Sequence, residues 1–188
     1  GDDHHHHDSP FDPHIWLSPD HAVILVQSIR DELKAIDPDH AAGYDQRAAN
    51  YIAKLNQLKA DGVKMLADKK DRKLVTFHES LTYFAKTFNL DIEGVVQKKP
   101  GVEPSAGEVK QLIALCEKEK VRLIAVEPQY TSSTSARTIL DQLREKQIPD
   151  PQLVEIDPLE TVIPDDLSPD WYERKMRSNL EALAMAMK

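Results

Sequence analysis

The chain has 188 residues, of which 40% are hydrophobic and 30% charged, and its formal net charge is -8. This composition is typical of a globular protein, and the length suits one ordinary domain. The negative charge argues against a nucleic-acid partner, because phosphate binding needs clustered Lys and Arg side chains. The single cysteine, Cys116, excludes an intrachain disulfide and a cysteine-rich zinc site.

The first 13 residues are polar and interrupted by two prolines, which predicts a loop. This loop contains His4, His5, His6 and His7. A purification tag is one interpretation of such a run, but the acidic residues that flank it favour a native loop. We expect these four histidines to form an auxiliary zinc-binding loop that raises the local zinc concentration. The alternative is a polar loop with no role in metal binding.

Two helices are predicted next. The first begins at Ser18-Pro19, because Ser caps helices and Pro suits the first helical position. It ends near Asp37-Pro38. The second covers residues 41–67, where apolar residues recur in alternating steps of four and three along one continuous face. At roughly 1.5 Å per residue this helix spans about 40 Å, which is long enough to brace two lobes.

Short β-rich segments alternate with helices in the rest of the chain. The predicted strands are residues 73–77, 92–96, 122–126 and 152–156. A capping box of Ser105 and Glu108 starts one of the intervening helices, and Ser168-Pro169 starts the last helix. The alternation predicts an α/β fold, in which a four-stranded, mainly parallel sheet is flanked by helices and preceded by the long helix.

Polar side chains with metal-binding chemistry follow three of these strands. They are His78, Glu127 and Asp157. In open parallel sheets, ligands lie beyond the carboxyl ends of the strands, and His, Asp and Glu bind zinc. Each residue also has an ordinary structural interpretation: His78 as a helix-start residue, Glu127 as a helix cap or a residue that orients a ligand, and Asp157 as a turn residue.

A further histidine, His14, lies in the segment Asp-Pro-His-Ile-Trp-Leu-Ser-Pro at residues 12–19. Its neighbours are apolar and a capped helix follows, so we expect its ring to be held in place. His21 and His40, in contrast, are expected on the solvated surface.

Taken together, these segments resemble the cluster A-I solute-binding proteins, which are zinc and manganese receptors. Residues 12–19 resemble the second metal-ligand motif of that family, and Val-Thr-Phe-His-Glu-Ser at 75–80 is similar to the third. Ile-Asp-Pro-Leu at 156–159 resembles the segment that supplies the fourth ligand. Residues 101–105 and 126–129 resemble two more family segments. The motifs occur in family order, and a His-rich loop is typical of the zinc branch.

The resemblance implies that His14 and His78 are zinc ligands and that Asp157 is a further ligand. Glu127 stays a candidate for orienting a ligand rather than for binding the ion. The resemblance also implies the C-terminal portion of a two-lobe receptor. Residues 1–40 would be a remnant of the N-terminal lobe with its His-rich loop, 41–70 the interlobe backbone helix, and 71–188 the C-terminal α/β lobe. The family's ligand histidine from the N-terminal lobe is not part of this chain.

The implied function is high-affinity capture of Zn2+ by a periplasmic or cell-surface monomer that delivers it to the membrane permease of an ABC transporter. A nitrogen-rich ligand set favours Zn2+ over Mn2+. The alternatives are a manganese receptor or surface adhesin of the same family, and a zinc hydrolase with Glu79 as the general base. We expect no enzyme, since no His-Glu-x-x-His helix is present. A last alternative is a chain that binds no metal without its first lobe.

Overall fold

The computed structural model describes residues 12–97 and 102–188, so the predicted loop of His4–His7 lies outside the described residues. The helices are α1 (Pro19–Ile36), α2 (Ala41–Leu66), α3 (Thr82–Phe88), α4 (Ala106–Glu119), α5 (Thr134–Glu145) and α6 (Trp171–Ala186). The strands are β1 (Lys73–Thr76), β2 (Asp91–Val95), β3 (Leu123–Val126) and β4 (Gln152–Glu155). None of the described helices combines the length and hydropathy needed to cross a bilayer.

The four strands form one sheet in the order β2-β1-β3-β4, and every neighbouring pair is parallel. This confirms the predicted α/β fold. Alternate strand residues face opposite sides, so Leu74 packs with α3 and α6, whereas Val75 packs with α4 and α5. Because all strands point the same way, the residues that follow β1, β3 and β4 meet at one edge, called here the carboxyl edge.

The predicted long helix is α2, which has 26 residues and packs against α1, α3 and α6. Its apolar face includes Leu55 and Leu58, both buried. Gly62 lies close to side chains of α3 and α6, because a Cβ atom there would lie 2.6 Å from Phe88 Cε1 and 2.7 Å from Leu180 Cδ1. A larger residue at this position would force these two buried side chains to move.

Two helix starts differ in detail from the prediction. Ser18 precedes α1, but it makes no side-chain cap, and its hydroxyl is hydrogen-bonded to that of Thr87 (3.0 Å). The last helix begins at Trp171 rather than at Ser168-Pro169, because the Ser168 hydroxyl donates to Asp170 Oδ1 (2.6 Å) and holds a turn. The capping box at the start of α4 is confirmed.

At the amino-terminal edge of the sheet, opposite the carboxyl edge, the buried Arg122 lies just before β3 and links several segments. Its guanidinium donates to Asp71 Oδ2 (2.7 Å) and to the carbonyl oxygens of Asp150 (3.1 Å) and Ala186. Burial acts to raise the pKa of Asp71, but the hydrogen bonds from Arg122 and from the Lys188 backbone outweigh burial and lower it. Asp71 is thus held in its charged form.

Candidate metal centre

Three side chains from distant parts of the chain converge at the carboxyl edge: His14, His78 and Glu160. Glu160 Oε1 lies 2.8 Å from His14 Nε2 and 3.4 Å from His78 Nε2. All three candidate ligand atoms lie within 4.8 Å of one another. In residues 12–97 and 102–188 this is the only group of three or more His, Cys, Asp or Glu residues that is close enough to hold a metal ion.

The His14 ring is held on both sides, as the sequence predicts. Asp12 Oδ1 accepts hydrogen bonds from the backbone N–H of His14 (2.9 Å) and from its ring Nδ1 (2.6 Å). The ring also packs edge-on against Trp16 and His78, with centroid separations of 5.4 and 5.5 Å. Only Nε2 faces Glu160, so the ring presents one defined nitrogen to the centre of the cluster.

His78 follows β1 and is buried, with 8% of its surface exposed. Its Nδ1 donates to Glu127, a buried carboxylate that also accepts from the Gln129 side chain. Burial lowers the pKa of His78, and the nearby His14 acts in the same direction, while Glu160 opposes both. The neutral imidazole, which is the form that coordinates metals, is therefore favoured.

The structure does not bring Asp157, the carboxylate expected as a ligand, together with the two histidines. Asp157 Oδ1 accepts from the backbone N–H of Leu159 (2.8 Å), and Oδ2 lies 3.2 Å from Lys175 Nζ. Leu159 adopts a left-handed conformation with φ of 59°, which turns the chain and directs Glu160 to the cluster. Sequence reasoning missed Glu160. The available signal was a second carboxylate three residues beyond Asp157, but no pattern ranks the two.

The loop that carries Glu160 is anchored from two sides. The buried Asn179 side chain bonds to both the backbone N–H (2.9 Å) and the carbonyl (2.7 Å) of Asp157. Trp16 Nε1 donates to the carbonyl of Pro158 (2.9 Å), and the Tyr172 hydroxyl donates to the carbonyl of Trp16 (2.6 Å). The segment around His14 and the loop around Glu160 therefore fix each other.

The donor set fits a zinc ion. Two imidazole nitrogens and one carboxylate oxygen are ligands that Zn2+ prefers. A tetrahedral ion with bonds of roughly 2.0–2.2 Å holds its ligand atoms about 3.4 Å apart. The His78–Glu160 distance of 3.4 Å matches this geometry, whereas the His14–Glu160 distance of 2.8 Å must open slightly. An ion bound here would take the place of this direct contact between Nε2 and the carboxylate.

The two remaining histidines of the described chain differ in environment. His40 is exposed and bonds to Asp37, as expected for a solvated residue. His21 is not on the solvated surface as expected, because its ring lies edge-on against Tyr83 at 4.8 Å. Its Nδ1 is buried without a hydrogen-bond partner among the described residues.

Comparisons with known proteins agree on one family. The family model described as zinc-uptake complex component A, periplasmic (ZnuA), matches residues 1–186. The zinc-binding lipoprotein AdcA of Streptococcus pneumoniae strain R6 is 33% identical over 184 residues, which make up 97% of this chain and 35% of that protein.

Solved structures give the same result. A crystal structure of ZnuA matches with a TM-score of 0.75 and 29% identity, over 94% of this chain and 60% of that one. A Zn(II)-bound mutant variant of AdcAII from Streptococcus pneumoniae matches with a TM-score of 0.73 and 27% identity, over 94% of this chain and 61% of that one. The chain therefore spans about a third of the curated relative and about three-fifths of the solved chains.

Proposed function

Since this chain belongs to the family of ZnuA, the periplasmic component of zinc-uptake complexes, we propose that it is the zinc-binding part of an extracytoplasmic receptor that passes Zn2+ to an ABC permease. The observation that carries this proposal is the convergence of His14 Nε2, His78 Nε2 and Glu160 on one point. Zinc as the cargo is supported by relatives described as zinc-binding, one of them a lipoprotein. That description also supports a periplasmic or cell-surface location.

We further propose the lobe division that the resemblance implies, with residues 1–40 belonging to an N-terminal lobe, 41–70 joining the lobes and 71–188 forming the second lobe. Two observations support it. The chain spans about three-fifths of the solved relatives, and α1 packs mainly against α2, which leaves an apolar surface uncovered. The exposed large apolar side chains of α1 are Ile24, Leu25, Ile29 and Ile36. The remaining lobe would cover them and supply a fourth ligand.

Capture in this arrangement is an exchange of zinc for protons. His78 is kept neutral by burial, so its Nε2 lone pair is available to the ion. Zinc takes the place of the direct contact between His14 Nε2 and Glu160, and the carboxylate then neutralises part of the charge of the ion. Acid reverses the exchange, because protons compete for the same three atoms.

The alternative functions are less well supported. Glu79, the proposed base of a zinc hydrolase, is exposed and lines a groove between α3 and β2 rather than joining the histidine cluster. A manganese receptor would favour a site richer in carboxylates than two imidazoles and one carboxylate. An adhesin role would leave the metal site unchanged. The monomeric state and the absence of enzymatic activity and of a nucleic-acid partner stay predictions.

The proposal is tested by calorimetric zinc titration of the 188-residue chain at neutral pH. Two variants are compared with it: the double variant His14→Ala/His78→Ala, and a chain that lacks residues 1–8. We expect the double variant to lose a site that the deletion keeps, with unchanged far-UV circular dichroism in both. Loss of all binding in the deletion alone would show that the His-rich loop, and not the cluster, binds the ion.

A further inference from the structure

We propose that Asp12 is a positioning residue of the zinc site, which fixes the orientation and the tautomer of the His14 ring. The inference rests on the proposed function, because it assigns Asp12 a role toward the same ion. It concerns a carboxylate that does not face the ion itself. Asp12 acts on the far side of the imidazole ring, at Nδ1.

One carboxylate oxygen of Asp12 accepts hydrogen bonds from two donors of His14. Oδ1 accepts from the backbone N–H of His14 at 2.9 Å and from the ring Nδ1 at 2.6 Å. The backbone bond fixes where the carboxylate lies, and the ring bond then fixes how the imidazole is turned about its side-chain torsions. Because Nδ1 must carry a hydrogen to donate, the lone pair of the neutral ring is at Nε2. Nε2 is the atom that faces Glu160.

Asp12 is itself held in an environment that a carboxylate does not favour. The Tyr83 hydroxyl donates to its backbone carbonyl at 3.2 Å, which ties the segment to α3. The second carboxylate oxygen, Oδ2, is buried and has no hydrogen-bond partner among the described residues. An acceptor buried in this way destabilises a fold, so Oδ2 gives no reason for a carboxylate to be here. The contact with His14 gives one.

The same arrangement occurs at the second histidine, from an unrelated part of the sequence. Glu127 accepts from His78 Nδ1 on one side of that ring, while Nε2 faces Glu160 on the other. Both candidate ligands thus have Nδ1 on a carboxylate and Nε2 toward the same oxygen. A carboxylate behind a ligating histidine fixes the tautomer and makes the ring a stronger donor to the metal. Asp12 and Glu127 supply this interaction once each.

Two substitutions distinguish the orientation of the His14 ring from the charge of Asp12 as the source of the effect on zinc affinity. Asp12→Ala removes the acceptor, so His14 is free to rotate and to place its hydrogen on either nitrogen. Zinc affinity should then fall by roughly 10–100-fold. Asp12→Asn keeps an oxygen in nearly the same place, so the tautomer should be largely retained and the loss of affinity should be smaller. Asp12→Asn also serves as a near-isosteric variant if Asp12→Ala fails to fold.

The test combines two measurements on the 188-residue chain. Imidazole nitrogen NMR of the zinc-free protein at pH 8 reports which nitrogen of each histidine carries the hydrogen, and competition with a chelator reports zinc affinity. In the wild type and in Asp12→Asn we expect the hydrogen of His14 at Nδ1. In Asp12→Ala we expect a mixture at His14, an unchanged His78 and weaker zinc binding.

Two results would overturn the inference: an unchanged His14 tautomer in Asp12→Ala, whatever its affinity, or an altered tautomer with unaltered affinity. Failure of the proposed function is a separate result. If the wild type binds no zinc at His14 and His78, the function fails, while the zinc-free spectra still decide whether Asp12 sets the tautomer.

Discussion

His14 Nε2 lies 2.8 Å from Glu160 Oε1, although 146 positions separate these residues in the sequence. The contact exists because the segments on either side are joined by the Trp16–Pro158 hydrogen bond. His78, at the end of β1, completes the group. Two of the three groups are therefore fixed relative to each other by the hydrogen bond from the Trp16 side chain to the Pro158 carbonyl.

The first prediction concerns which carboxylate of the loop after β4, Glu160 or Asp157, binds zinc. Glu160→Gln should weaken zinc binding by more than the roughly 10–100-fold that is typical of residues that only orient ligands, because it removes a direct ligand. Asp157→Asn is the matched control and should have a smaller effect, since Asp157 bonds to Leu159 and Lys175 rather than to the cluster. Chelator competition measures both. The reverse ranking would restore Asp157 as the ligand.

The second prediction concerns protons. Zinc coordinates only deprotonated side chains, so binding in acidic solution should release a measurable number of protons per ion. Calorimetric titrations in two buffers with different ionisation enthalpies give this number. Zinc affinity should fall as the pH is lowered, because protons compete for the ligand atoms. The lowered pKa of His78 favours the neutral ring at that position and so limits the fall. Identical heats in the two buffers would contradict the exchange.

The third prediction concerns acid stability at the opposite edge of the sheet. Asp71→Asn should lower the unfolding free energy at pH 7 by about 1–3 kcal/mol, because Arg122 loses its closest charged partner. The folded-state pKa of Asp71 is lowered, so its contribution is present above the ordinary value of 3.8 and is lost as the pH falls through the folded-state value. Urea unfolding of both proteins should show that the difference in unfolding free energy between wild type and variant is smaller at pH 3 than at pH 7. An equal difference at both pH values would show that the ion pair is not its source.

The fourth prediction compares two glycines of α2. Gly62→Ala should destabilise the protein by about 1–3 kcal/mol, because its Cβ would overlap the buried side chains of Phe88 and Leu180. Gly43→Ala in the same helix meets only the Arg47 side chain at 3.1 Å, so it should be neutral or stabilising by up to about 1 kcal/mol. Thermal unfolding distinguishes the two. Similar changes in both variants would contradict the packing described for Gly62.

Most of the fold could be predicted from the sequence because local signals and periodicity agree. The apolar steps of α2, the capping box of Ser105 and Glu108, and the four β-rich segments each correspond to an element of the structure. The last helix begins at Trp171, later than the predicted start at Ser168-Pro169. A Ser-Pro pair favours a helix start, but here the Ser168 hydroxyl bonds to Asp170 and holds a turn instead.

The candidate site could be predicted only in part. His14 and His78 were accessible because one lies in a distinctive motif and the other follows a strand at the carboxyl edge. Glu160 was not, because its direction depends on the left-handed conformation of Leu159 and on the anchoring of Asp157 by Asn179. Both are tertiary features. The local sequence does not show that Asp157 stabilises the turn while Glu160 is directed to the cluster.

The most direct test of the zinc site is a crystal structure of this chain soaked with zinc, with anomalous diffraction recorded at the zinc edge. We predict an anomalous peak at roughly 2.0–2.2 Å from His14 Nε2, His78 Nε2 and a carboxylate oxygen of Glu160. A peak at Asp157, or a fully occupied ion bound only by other histidines, would contradict the site described here.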